Sequence, residues 1–275
     1  MKNILLLTDF SEAAAHALEY ACVLAGQLKA SKLTLYHSFH TLADDFDAES
    51  LGPLPEKLYA VVISRLQALA APVAARHKEK LVIDVAASDN PLEEEINTFC
   101  AHQHIDLIVM GAKGKTANRE TNVGGTAVSI VHNAHYPVMI VPDLVPLQPV
   151  QSALLATDLQ PMQKEAEETL TGFLRAVHPK LWVLNVDREE KNFGPDSSFE
   201  LRTLHSLLGD FTPEFLFTED ADTVEGVERI AAEKSAGVII TIHKERSWLY
   251  QLLHGSVTER LAVNNNTVLL SLYNG

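Results

Sequence analysis

The chain repeats itself. Residues 152–159 (SALLATDL) echo residues 3–10 (NILLLTDF), with Thr157 and Asp158 in the places of Thr8 and Asp9. Residues 181–186 (LWVLNV) echo residues 33–38 (LTLYHS). A repeat of this length implies two homologous domains rather than a solenoid of short units. At 275 residues the chain accommodates two domains of ordinary size. The proline-rich stretch 142–149, with Pro146 inside it, is the expected joint, so the domains are placed at 1–145 and 150–275.

Inside each copy, short apolar runs alternate with segments of helical periodicity. In the first copy strands are predicted at 3–8, 32–38, 81–86, 105–110 and 138–141. Helices are predicted at 11–28, capped by Ser11, then at 58–76, at 91–99 with Pro91 in the first turn, and from Gly124 to Asn133. In the second copy the echo at 152–159 carries the first strand, further strands are predicted at 181–186, 214–218, 237–242 and 267–272, and helices at 162–177, 198–208, 222–234 and 256–263. Strands alternating with long helices imply a parallel sheet covered on both faces. Ligands of such sheets sit at the carboxyl ends of the strands, where the strand order switches.

One stretch of the first copy carries a ligand pattern. The strand ending at Met110 runs directly into Gly111 and Gly114, and Gly124, Gly125 and Thr126 open the next helix. Glycines after a strand let backbone approach a ligand without a Cβ in the way. A helix opening beside them offers free N–H groups and the positive end of its dipole. Together these make an anion cradle. The spacing is neither that of a phosphate loop ending in Gly-Lys-Ser/Thr nor the tighter dinucleotide fingerprint.

The pattern G-x2-G-x9-G, formed by Gly111, Gly114 and Gly124 and flanked by IDLIVMGAKG and YPVMIVP, resembles the universal stress protein family. The resemblance implies two tandem Rossmann-like domains of the adenine nucleotide alpha hydrolase type. Each would be a five-stranded parallel sheet of order 3-2-1-4-5 with helices on both faces. It implies ATP or another adenine nucleotide as ligand, with Mg²⁺ accompanying it. The residues implied are Thr8, Asp9, Ser38, Met110, Gly111, Lys113, Gly114, Gly124, Gly125 and Thr126, with Asp9 by the adenine and Ser38 near ribose and base. Nucleotide-binding members carry a hydroxyl residue directly after the third glycine and usually another two residues later. Here those positions are Gly125 and Ala127, so side-chain donors are missing while backbone donors remain. Two readings stay open: the loop binds nucleotide through its main chain, or its glycines serve the turn alone.

The second copy keeps the other half of the pattern. Gly255, Ser256 and Thr258 match the family's ending, but Glu245 and Ile242 stand where Gly114 and Gly111 stood. Lys244 and Arg246 partly offset Glu245. A β-branched side chain blocks close backbone approach, so this degenerate site, with Asp158 at its strand end, is expected not to hold ATP.

Formal net charge is −14, which disfavours nucleic-acid and anionic-membrane partners. Lys113, Lys115 and Arg119 would attract phosphate locally or are ordinary loop charges. Cys22 and Cys100 show no ligand or redox spacing, and are expected to be buried reduced thiols. No eighteen-residue apolar run is present and the N-terminal run is too short for a signal peptide, so a cytoplasmic protein with no membrane span is expected. His102, His104, His132 and His135 flank helix ends without convergent ligands. His243 and His254 leave a weak metal or anion hypothesis, and no metal site is expected overall. The apolar cluster Trp248, Leu249, Tyr250, Leu252 and Leu253 would be either a contact surface or a cover over the second site.

The expected function is therefore a tandem, non-catalytic stress-response module that is at most a weak ATPase. The alternative is an interaction or regulatory module without nucleotide. The two domains are expected to pair through their fifth strands as a pseudo-dimer, since an apolar edge strand needs a partner, and the chain to form a homodimer.

Overall fold

The computed structural model describes residues 1–40, 54–77, 81–113, 125–187, 195–243 and 267–275. The first half runs β1 (Asn3–Leu7), α1 (Glu12–Leu28), β2 (Lys32–Ser38), α2 (Leu54–His77), β3 (Val82–Ser88), α3 (Leu92–His102), β4 (Leu107–Gly111), α4 (Gly125–Asn133) and β5 (Val138–Val141). The second runs β6 (Ser152–Ala156), α5 (Lys164–Val177), β7 (Lys180–Asp187), α6 (Pro195–Leu208), a 3-10 turn (Gly209–Phe211), β8 (Glu214–Glu219), α7 (Thr223–Lys234), β9 (Val238–His243) and β10 (Val268–Tyr273).

All strands lie in one sheet of order β3-β2-β1-β4-β5-β10-β9-β6-β7-β8. Each half is parallel and has the order 3-2-1-4-5. The halves meet through an antiparallel pair in which Met139 faces Leu270, Ile140 faces Leu269 and Val138 faces Ser271. Ile4 pairs with Leu107 as Ala153 pairs with Val238, which makes these residues counterparts. Carried to the next strand, the same register makes Met139 the counterpart of Leu270, and Val138 that of Leu269. The central pair thus joins counterparts and the flanking pairs exchange, which is the register of a local two-fold axis.

Side chains alternate across the sheet. Ile4, Leu6, Leu33, Leu35, Leu107 and Val109 pack under α1 and α2, and their counterparts under α5 and α6. Leu5, Leu7, Ile108 and Met110 pack on the opposite face, under α3 and α4, with α7 covering the second half. Burial on both faces explains why these strands read as continuous apolar runs.

Helix α1 also holds the joint between the halves. Gln27 exchanges two 2.9 Å hydrogen bonds with the backbone of Val150, and His16 Nε2 lies 2.9 Å from the Val145 carbonyl. Val145 and Val150 are buried.

Some boundaries differ from those predicted. Helix α2 begins at Leu54 rather than 58, because a proline in the first helical turn, Pro55, lacks only an N–H that has no intrahelical partner there. Strand β4 begins at Leu107 rather than 105. The Ile105 N–H closes the end of α3 on the Cys100 carbonyl, and the Asp106 carboxylate accepts the Lys2 and Asn3 N–H groups. Strand β6 ends at Ala156, before the turn that starts at Thr157. Among the described residues one segment, Glu56–His77 of α2, is long and apolar enough to cross a membrane by length and composition. Its inner stripe of Val62, Leu66, Ala70 and Val73 is buried against the sheet.

Candidate functional site

The neighbouring ends of β1 and β4 lie where the strand order reverses, as open parallel sheets require of a ligand crevice. At the end of β1 the chain turns tightly. The Thr8 N–H extends the ladder to the Tyr36 carbonyl at 2.9 Å, and Thr8 Oγ1 accepts from the Phe10 N–H at 3.1 Å. Asp9 Oδ1 accepts from the Ser11 N–H at 3.0 Å, and Ser11 Oγ caps α1 through the Ala14 N–H at 3.1 Å. Phe10 holds φ at 62°. Its ring lies 4.7 Å from the His37 ring, with the Arg65 guanidinium 4.5 Å over it. His37 Nδ1 donates to the Thr8 carbonyl at 2.7 Å.

The other predicted residues divide. Met110 is buried among the apolar side chains under α4. Lys113 is half-buried, and Gly125 and Thr126 are exposed in the first turn of α4. A Cβ added to Gly125 would meet nothing within 4 Å. Ser38 Oγ is drawn away to the loop before α3, donating to the Asn90 carbonyl at 2.7 Å. Gly111 is close to protein rather than to open space: a Cβ there would stand 3.1 Å from both the carbonyl carbon and oxygen of Ala13. Its bare backbone admits the first turn of α1. Gly114, Lys115, Arg119 and Gly124 lie outside the described residues.

The second half repeats the turn. Thr157 Oγ1 accepts from the Leu159 N–H at 3.0 Å, Asp158 Oδ1 from the Gln160 N–H at 3.1 Å, and Leu159 holds φ at 54°. Asn185 Nδ2 donates to the Thr157 carbonyl at 2.9 Å, as His37 does to Thr8. The helix after the turn is different. Pro161, Met162 and Gln163, the counterparts of Glu12, Ala13 and Ala14, are not helical, and α5 starts at Lys164. Proline is tolerated at a first helical position, so Pro161 does not explain the loss. Ile242, the counterpart of Gly111, adds a branched side chain on the face where glycine admits the first turn of α1. The vacated ground is held by buried Asn274, whose Oδ1 accepts from the Gln163 N–H at 2.5 Å and whose Nδ2 donates to the Pro161 carbonyl at 3.3 Å.

The profile of the universal stress protein family matches residues 1–142. This chain belongs to the universal stress protein family. A universal stress protein of Methanocaldococcus jannaschii is 26% identical over 144 residues, which span 51% of this chain and 81% of that one. Among solved structures, a universal stress protein from Archaeoglobus fulgidus superposes with a TM-score of 0.71 at 17% identity, covering 99% of this chain and 98% of that one. A Pseudomonas aeruginosa protein gives 0.60 at 16% identity, covering 99% and 93%. At these identities the likeness is one of fold, and it extends over both halves.

In this universal stress protein the sequence missed His37, Phe10, Arg65, Asn185 and Asn274. None belongs to a motif; each acts through a contact made across the fold. Lys244, Gly255, Ser256, Thr258 and the cluster from Trp248 to Leu253 lie outside the described residues, as does His254. Among the described residues no three His, Cys, Asp or Glu side chains converge as a metal would need. Cys22 and Cys100 are buried thiols pushed up to about 11 and about 12 by burial, Cys22 also by Glu19. Such thiols stay protonated and unreactive near neutrality.

Proposed function

We propose that this universal stress protein is a cytoplasmic regulatory module that takes up an adenine nucleotide, ATP with Mg²⁺, in its N-terminal half and turns it over slowly or not at all. The supporting observation is the open first turn of α4, the helix that follows β4 in the chain. Gly125 and Thr126 are exposed there, and half-buried Lys113 follows the end of β4, next to the switch in strand order. A helix start so placed presents N–H donors and a positive dipole end to phosphate. Asp9 sits one strand away on a turn that Ser11 and Thr8 fix. A homodimer would use a surface other than the fifth strands, which pair with each other inside the chain.

A second reading is supported by Gly111. Its missing Cβ is accounted for by the Ala13 backbone without any ligand, as expected of an interaction module that holds no nucleotide.

Thermal unfolding with and without millimolar ATP and Mg²⁺ separates the two. A ligand at 100 times its Kd adds about 2.7 kcal/mol of stability. The nucleotide reading expects a rise in Tm that Gly114→Val abolishes and Gly255→Val leaves in place. An unchanged Tm supports the interaction reading, and ATP turnover well above that of Gly114→Val supports an enzyme.

A further inference from the structure

A row of side chains crosses the sheet just below the strand ends, on the face that α3 and α4 cover. In the first half it is Tyr36, Leu7, Met110 and Ile140, register neighbours that are all buried. In the second half the same row is Leu184, Ala156, Thr241 and Ser271, again all buried. Ile239 and Leu269 belong to this layer, and strand alternation places Thr241 and Ser271 in it too.

Every member of the second row is smaller than its counterpart. Over β7 the covering helix makes up the loss. Gly226 lets α7 settle on Val186, whose Cγ1 would stand 2.9 Å from an added Cβ. Over β6, β9 and β10 the helix adds to the loss. At the spacing where α3 buries Ile96 and Cys100, α7 buries Val227 and Ala231. Ala156, Thr241 and Ser271 together have half the side-chain heavy atoms of Leu7, Met110 and Ile140, a deficit the size of one six-membered ring. The same ground holds an orphan polar atom. Thr241 has no exposed surface, and its Oγ1 has no hydrogen-bond partner among the described residues. Interiors are close-packed, and a buried hydroxyl without a partner is destabilising, so both features call for an occupant.

We propose that the second half takes a small neutral aromatic ligand here, a single ring bearing one hydroxyl, between α7 and the row Ala156, Thr241 and Ser271. The ring replaces the missing side-chain atoms, and its O–H donates to Thr241 Oγ1. The row contains no titratable side chain, which selects a neutral ligand over a charged one. Because β5 and β10 are antiparallel, this site lies at the opposite end of the sheet from the crevice of the first half, and it does not depend on nucleotide there.

Phenol is the probe, titrated calorimetrically into the full chain without nucleotide, with toluene as a match in shape that lacks the donor. Saturable one-to-one binding of phenol is expected, with toluene weaker by roughly fivefold, the worth of one hydrogen bond. Thr241→Val keeps the shape and removes the hydroxyl, so it should bring phenol down to the level of toluene and leave toluene as it was. Thr241→Met and Ala156→Leu each restore the residue of the first half and should abolish binding of both. Absence of saturable phenol binding, as when a water bridges Thr241 and Ser271 instead, would overturn the proposal. So would a preference for phenol that survives Thr241→Val, or binding that survives both Thr241→Met and Ala156→Leu.

Discussion

At the ends of β1 and β6 the two halves share a backbone and differ in what the backbone serves. Both turns are closed by a threonine and an aspartate accepting N–H groups two residues on. Both hold a bulky residue at positive φ, at a cost of about 1 kcal/mol each. Both brace the threonine carbonyl with a side chain from the next strand, His37 or Asn185. Beyond the turn the two halves part. With glycine at 111, α1 starts at Glu12 under a serine cap; with isoleucine at 242, α5 starts at Lys164 and Asn274 fills in. The lesson is that a glycine in a ligand motif can also be a packing residue for the chain's own helix.

The comparison can be broken by substitution. Gly111→Val puts a branched side chain against the Ala13 backbone and should destabilise the protein by about 2–3 kcal/mol in urea unfolding, since rigid backbone cannot yield as a flexible side chain would. Asn274→Ala removes the two hydrogen bonds that stand in for the lost turn of α5. It should cost about 1–2 kcal/mol in the same assay, while the same change at its counterpart, exposed Asp143, should cost much less.

Helices α3 and α7 give a subtler contrast. Asn97 donates to the Asn133 carbonyl at 2.7 Å and accepts from the His135 N–H at 2.8 Å. Its counterpart is Glu228, whose Oε1 is buried without a partner among the described residues. Burial, and then Asp222, push the Glu228 carboxyl up from its usual 4.5 to about 7. The folded state therefore holds the proton more tightly than the unfolded chain. That contribution to stability is complete below about pH 4.5 and is lost as pH rises through 7. Glu228→Asn should be more stable than the parent by on the order of 1 kcal/mol at pH 8, after discounting for solvent screening. The advantage should fade toward pH 5, which paired unfolding curves would show. The smallest effect belongs to Gly125→Ser. Open space receives the side chain, so the fold should tolerate it, and one added hydroxyl donor should tighten ATP by about 0.5–1 kcal/mol in calorimetric titration.

Much of this fold was legible because each half is locally consistent. Strands β2 and β5 coincide with their predicted bounds, since buried parallel strands are apolar runs closed by polar residues. The doubling was legible from the repeated Thr-Asp ends. Less legible were the ends of β4 and the start of α2, where capping contacts and a tolerated proline outweigh hydropathy. The glycines were read for what they permit, and permission does not say who arrives: at Gly111 it is Ala13. Asn274 was invisible because its partners lie more than a hundred residues away, at Pro161 and Gln163.

Hydrogen–deuterium exchange of the full chain, with and without saturating ATP and Mg²⁺, tests the division between the halves most directly. Slowed exchange is expected at residues 8–11 and at the opening of α4, with residues 157–160 unchanged. Protection confined to 157–160, or equal protection of both turns, would contradict it.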